Sequence, residues 1–207
     1  MANQEQLDVL RQGRMKWNQW RETQSYLELD FRGVHLHKAD LSGANLRNAD
    51  LGGASLSWAN LNRSDLSGAD LSGADLSEVN LTLSNLIEAN LTETNLHKAD
   101  LTLANLSGVI LIRANLSRAN LHRANLIRVN LNEADITEAL IGYTTFGDVD
   151  LNGTKGLDTI YHHSPSTIGI DTIYRSKGSI PEIFLRSAGV PDSFISYLHL
   201  LVGVQPH

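Results

Sequence analysis

Residues 39–56 read ADLSGANLRNADLGGASL, a five-residue unit repeated without a slip. Leu41, Leu46, Leu51 and Leu56 mark the unit, Ala39, Ala44, Ala49 and Ala54 stand two positions before them, and Asp40, Asn45 and Asp50 stand one before. Outward from this run, Leu recurs every five residues from Leu36 to Leu131. Phe31 precedes that series and Ile136, Ile141, Phe146 and Leu151 follow it, which makes 25 consecutive apolar centres. The small position is mostly Ala, varied by Ser64, Val79, Ser84, Thr94, Val109 and Val129.

A period of five fits neither a helix of 3.6 residues per turn nor a flat strand of two, so the chain must turn a corner in every repeat. The two apolar positions of each unit lie two apart and point inward together, as on a short extended segment. The other three face out and carry the bend. Asn and Asp suit the bend because their side chains bond nearby backbone amides and tolerate unusual φ.

With these residues in view, the run ADLSGANLRNADLGGASL and its continuation to Leu151 resemble the pentapeptide-repeat family, whose pattern is A-(D/N)-L-x-x. The resemblance implies an all-β solenoid, a right-handed quadrilateral β-helix with four pentads per turn. Residues twenty apart then stack, and the repeats make about six coils at roughly 4.8 Å each. One predicted core column runs through Phe31, Leu51, Leu71, Leu91, Leu111, Leu131 and Leu151; another ends on Phe146. Stacked Asn85, Asn105 and Asn125 form a candidate amide ladder.

A solenoid exposes unpaired strand edges at both ends, which must be covered. We divide the chain into an N-terminal cap (1–28), the repeat body (29–152) and a C-terminal strand and helical cap (153–207). Residues 4–23 place Leu7, Leu10, Trp17 and Trp20 on one face and predict a single cap helix. Beyond Leu151 the period is lost at residues 152–156, and residues 167–170 alternate as a short strand does. Ser179 and Glu182 read as a capping box around Pro181, opening a short helix that Gly189 stops. A second short helix starts near Pro191 and carries Phe194, Leu198 and Leu201 on a surface apolar nearly all round. It either packs between the first short helix and the last coil, or meets a partner. Residues 170–203 also resemble the linker that joins pentapeptide repeats to TIR-type signalling domains in multidomain bacterial, notably cyanobacterial, proteins. The sequence runs only to His207, so no TIR-type activity, NAD cleavage included, is expected of it.

The 207 residues carry 17 Lys and Arg against 23 Asp and Glu, a net charge of −6, and no Cys. That balance argues against phosphate neutralisation and general nucleic-acid binding, and the lack of Cys removes disulfides and thiolate metal sites. With no apolar run long enough for a signal peptide or a membrane helix, the expectation is a soluble cytoplasmic protein. No phosphate loop, nucleophile elbow or metal-ligand His pair appears, and each Asp of the repeats occupies its turn position. His162 and His163 are adjacent and point to opposite sides of an extended chain. No catalytic, cofactor or metal site is predicted, and the chain reads as a non-enzyme.

Three surface features remain. Arg113, Arg118, Arg123 and Arg128 recur at one outward position and spread as a ring over four faces, with Glu93, Glu133, Glu78 and Glu138 stacked above or below to make ion-pair ladders. Asp30, Asp50 and Asp70 form a candidate acidic column. Some members of the family that the repeats resemble mimic duplex DNA and inhibit DNA gyrase, and stacked carboxylates are the property that would matter. Leu83 and Leu103 stack at an outward position with Ile87 one corner away, a candidate contact surface together with Phe194, Leu198 and Leu201. The preferred expectation is a non-catalytic scaffold that binds a protein partner or a second copy of itself. A DNA-mimicking gyrase regulator and a scaffold in a TIR-type system are the alternatives.

Overall fold

The computed structural model describes residues 3–201, without the side chains of 199–201. In chain order the elements are α1 (Gln4–Leu10), α2 (Arg14–Thr23), β1 (Leu29–Asp30), β2 (Ala49–Asp50), β3 (Leu140–Ile141), β4 (Thr145–Phe146), β5 (Tyr161–His162), β6 (Thr167–Ile168), α3 (Ile170–Arg175), α4 (Glu182–Ser187) and α5 (Asp192–Leu201). The named strands are two residues long. Between β2 and β3 the chain is a solenoid of single-residue parallel bridges joining positions twenty apart, as in Asn60↔Asn80, Asn80↔Asp100 and Asp100↔Asn120.

Most pentads build their corner in one way. The N–H of Ala44 donates to the carbonyl of Leu41 at 3.0 Å, with Gly43 at φ 63°, the arrangement of a type II turn. The Asn or Asp before each Leu accepts from the amide two residues on, as Asp70 Oδ1 does from Ser72 N at 2.9 Å. The positive φ falls two residues after the Leu and not on the Asn or Asp, a correction to the sequence reading. That corner holds Gly at Gly33, Gly43, Gly53, Gly68, Gly73, Gly108 and Gly153, and otherwise forces a larger residue into the left-handed region, Trp58 at 61° and Arg118 at 60° among them. The central Leu and the small residue before it are buried from Ala44 through Ala139. Asn85 Nδ2 donates to Asp65 and Asn125 Nδ2 to Asn105, each at 3.1 Å, so the predicted ladder is present in part.

The N-terminal cap is two helices where the sequence predicted one. Gly13 sits at φ 93° and separates α1 from α2. A straight helix of 20 residues is about 30 Å long, whereas one five-residue side of the coil spans at most about 17 Å, so the fold at Gly13 keeps both halves over the coil end. The cap substitutes side chains for a missing rung. Trp17 Nε1 donates to the carbonyl of Asn45 at 2.8 Å, Asn18 Nδ2 donates to that of Gly43 at 2.9 Å, and Asn18 Oδ1 accepts from Asn45 N at 2.9 Å. Trp17 is fully buried between Trp20 and Phe31, at ring separations of 5.1 and 5.8 Å.

At the other end the register drifts from twenty to twenty-one to twenty-two, through Asp135↔Lys155, Leu140↔Tyr161 and Thr145↔Thr167. Three helices follow where the sequence predicted two. The unforeseen α3 carries Thr172, and its C-cap Ser176 follows four residues on, both fully buried. Thr172 Oγ1 accepts from Val149 N at 3.2 Å and Ser176 Oγ from Leu151 N at 3.0 Å, so hydroxyls close the last coil's open amides. The predicted capping box does not form. Ser179 Oγ donates to the carbonyl of Ser176 at 2.6 Å, and Pro181 caps α4 without a side-chain bond. Phe184 of α4 meets Phe146 edge-on at 5.7 Å, continuing the core column into the cap.

Candidate interaction surface

Every pentad points one residue, the one at positive φ, straight out from a corner. From Gly33 to Arg128 the amide of each such residue donates to the next coil, so these residues stack in four columns. On one corner Arg63 N donates to Thr82 O at 2.9 Å, Leu83 N to Thr102 O at 3.0 Å, Leu103 N to His122 O at 3.0 Å and Arg123 N to Gly142 O at 2.8 Å. The resulting order is Gly43, Arg63, Leu83, Leu103, Arg123, Tyr143. Leu83 and Leu103 are each 42% exposed at φ 60° and 59°. An apolar side chain is held in water there on a backbone that glycine adopts more readily.

The other three columns each contain carboxylates: Glu78 and Glu138, Glu93 and Glu133, Glu88 and Asp148. Two of the four ring arginines are paired along the axis, Arg113 to Glu93 and Arg118 to Glu138, both at 2.7 Å. The column of Leu83 has no carboxylate, and among the described residues neither Arg63 nor Arg123 has an ion-pair partner. Arg123 instead lies over the ring of Tyr143, 5.4 Å from its centroid. His122 meets the same ring edge-on at 5.8 Å and His163 at 6.0 Å. The sequence reading missed Arg63 and Tyr143, although counting in twenties from Leu103 finds both.

The six residues proposed from sequence do not share one surface. Leu83 and Leu103 form the outward pair, and Ile87 is half-buried on the next corner. Leu198 is buried, 7% exposed, and Phe194 is half-buried against the core of the C-terminal cap. This corrects their assignment: α5 spends its Ile195 and Leu198 stripe on covering the cap and leaves Tyr197 outside. The side chain of Leu201 lies outside the described residues.

Asp30, Asp50 and Asp70 do stack, through Asp30↔Asp50 and Asp50↔Asp70. Arg32 lies across the first two, 2.8 Å from Asp30 and 3.3 Å from Asp50. Its side-chain and backbone hydrogen bonds hold the Asp30 carboxyl far below the usual carboxylate range. Asp70 accepts from Ser72 N and, at 3.1 Å, from Asn90 Nδ2, after which the column continues as Asn90, Ile110, Asn130 and Asp150.

Among the described residues no His, Asp or Glu group is arranged to hold a metal ion. His37 and His97 each share a 2.9 Å hydrogen bond with the Ser one coil on, Ser57 and Ser117. His162 turns inward against Phe184 at 5.3 Å while its neighbour His163 turns to His122, the opposed placement that the sequence reading expected. No helix among the described residues is long and apolar enough to cross a membrane.

The repeat geometry and the sequence agree on the class. The model for pentapeptide repeats matches eight copies over residues 30–68, 69–108, 99–137 and 114–153, and the chain belongs to that family of β-helix proteins. Among solved structures it is similar to QnrB1, a plasmid-mediated fluoroquinolone resistance protein in a trypsin-treated variant form, at 21% identity over 81% of this chain and 84% of that one with a TM-score of 0.56. HetL, involved in heterocyst differentiation regulation in the cyanobacterium Nostoc sp. Strain PCC 7120, is 27% identical over 70% of this chain and 65% of its own, with a TM-score of 0.41. A pentapeptide repeat protein of the Arabidopsis thaliana thylakoid lumen is 35% identical over 44% of this chain and 63% of its own, with a TM-score of 0.43. The chain thus spans just under two thirds of the length of the last two. No curated protein sequence matches it.

Proposed function

We propose that this protein is a non-catalytic, cytoplasmic interaction scaffold, a rod of about six coils that presents the corner of Leu83 and Leu103 to a protein partner. The observation that carries the reading is the composition of that corner. Two stacked, outward leucines occupy the one column free of carboxylates, flanked by arginines with no ion-pair partner among the described residues. Affinity capture from a lysate of the source organism, with intact protein beside the double variant Leu83→Asp, Leu103→Asp, tests it. A protein retained by the first and lost by the second, with the intact protein and the variant showing the same circular dichroism, is the expected result. Identical captures from the two would remove the corner from consideration.

A second reading, regulation of DNA gyrase by DNA mimicry, is favoured by the stacking of Asp30, Asp50 and Asp70. It is weakened by Arg32, which neutralises part of an uninterrupted run of only three carboxylates, the next in the column, Asp150, standing four coils beyond Asp70. Supercoiling by gyrase unaffected at micromolar protein would end it. The likeness of residues 170–203 to a linker before TIR-type domains supports a narrower form of the scaffold reading, in which the captured partner carries such a domain.

A further inference from the structure

We infer that the occupant of the Arg63–Leu83–Leu103–Arg123 corner is an amphipathic α-helix lying along the rod, with two apolar residues one turn apart and an acidic residue a turn beyond each. The inference deepens the scaffold reading and rests on it. Its basis is a match of spacings. Stacked coils repeat at about 4.8 Å, and successive turns of a helix repeat at about 5.4 Å. The four corner residues, three coil steps apart from first to last, span about 14 Å, and ten residues of helix rise about 15 Å. A helix with acid at position 1, Leu at 4 and 8, and acid at 11 therefore sets each side chain opposite one corner residue.

Charge decides the sign of the ends. Arg63 and Arg123 have no carboxylate partner among the described residues, and the positions just before the corner, Asn62, Thr82, Thr102 and His122, bear no carboxylate. Two aspartates border the corner. Asp65 accepts from Ser67 and Asn85, and Asp100 accepts from Thr102 through both its amide and its hydroxyl, so each already serves its own turn. Arg123 is further braced by the ring of Tyr143, which fixes the guanidinium at the end of the apolar pair.

The probe is a synthetic helical peptide with Glu at positions 1 and 11 and Leu at 4 and 8 on an Ala/Gln background, labelled and titrated with the full chain by fluorescence anisotropy. Saturable binding is expected, weakened at least tenfold by Leu83→Gly with Leu103→Gly, which keeps the corner backbone. A peptide with Lys in place of both Glu should bind poorly to the native chain and be rescued by Arg63→Glu with Arg123→Glu. Absence of binding at millimolar protein, or binding indifferent to the Gly pair and to charge reversal, overturns the inference. Self-association that the Gly pair abolishes overturns it too, in favour of a second copy as occupant. If the peptide fails while affinity capture still loses a partner with Leu83→Asp and Leu103→Asp, the helix inference falls and the scaffold reading stands; if capture is also indifferent, both fall.

Discussion

Leu83 and Leu86 are three residues apart and have opposite duties. Leu86 is fully buried in a core column, whereas Leu83 stands at a corner with φ 60°. Truncating Leu86 to Ala leaves a cavity in a narrow core and should cost about 2–5 kcal/mol. Leu86→Asp buries an unpaired charge and should prevent folding. Leu83→Gly removes a side chain from a left-handed backbone that costs a non-glycine residue about 1 kcal/mol, so it should leave stability unchanged or raise it by up to about 1 kcal/mol. Urea unfolding followed by circular dichroism checks all three, and a large loss from Leu83→Gly would show that the corner leucines serve the fold and not a partner.

The ends of the solenoid work through single side chains that stand in for backbone. Asn18 both donates to Gly43 and accepts from Asn45. Asn18→Ala leaves both groups of the first coil unpaired and should cost about 2–6 kcal/mol at roughly 1–3 kcal/mol per stranded group, read as a lowered urea midpoint. The C-terminal cap has a pH dependence of definite sign. Burial lowers the pKa of His162 from the ordinary 6.5, and its Nδ1 has no hydrogen-bond partner among the described residues. Above pH 6.5 the ring is neutral folded or unfolded; as pH falls through 6.5 the unfolded chain takes the proton first, and the cap loses stability until the folded ring is protonated as well. The protection factors of α4 amides, taken relative to the intrinsic exchange rate at each pH, should therefore fall between pH 7.5 and 5.5 more in the native chain than in His162→Gln. Equal loss of protection in the two would remove His162 as the cause.

Over the whole molecule, stability is a sum of nearest-neighbour rungs, so damage at one end should stay local. Asn18→Ala should speed amide exchange in the first coil and leave residues 80–120 as protected as in the native chain; uniform loss of protection would mean a single cooperative unit. The exposed pairs Arg113–Glu93 and Arg118–Glu138 add little at about 0–1 kcal/mol each, so 1 M NaCl should shift the unfolding free energy by less than about 1–2 kcal/mol.

The β-solenoid was legible in the sequence because one physical demand recurs in each pentad: a large apolar residue and a small one inward, an amide or carboxylate at the bend. The stacking of Asp30 on Asp50 and of Leu83 on Leu103 was legible too once residues twenty apart were set together. The caps were not, since they depend on what an open coil end lacks. Thr172 and Ser176 matter for the amides of Val149 and Leu151, which are far from them in sequence, and Gly13 breaks a helix only because the coil end is narrower than that helix is long. Phe194 and Leu198 looked available because an apolar helix does not declare which side the fold will cover. Whether a charge on the surface is free was likewise decided in three dimensions, for it rests on the reach of neighbouring side chains: Arg32 lies across two aspartates, while Arg63 and Arg123 flank two leucines with no acidic partner among the described residues.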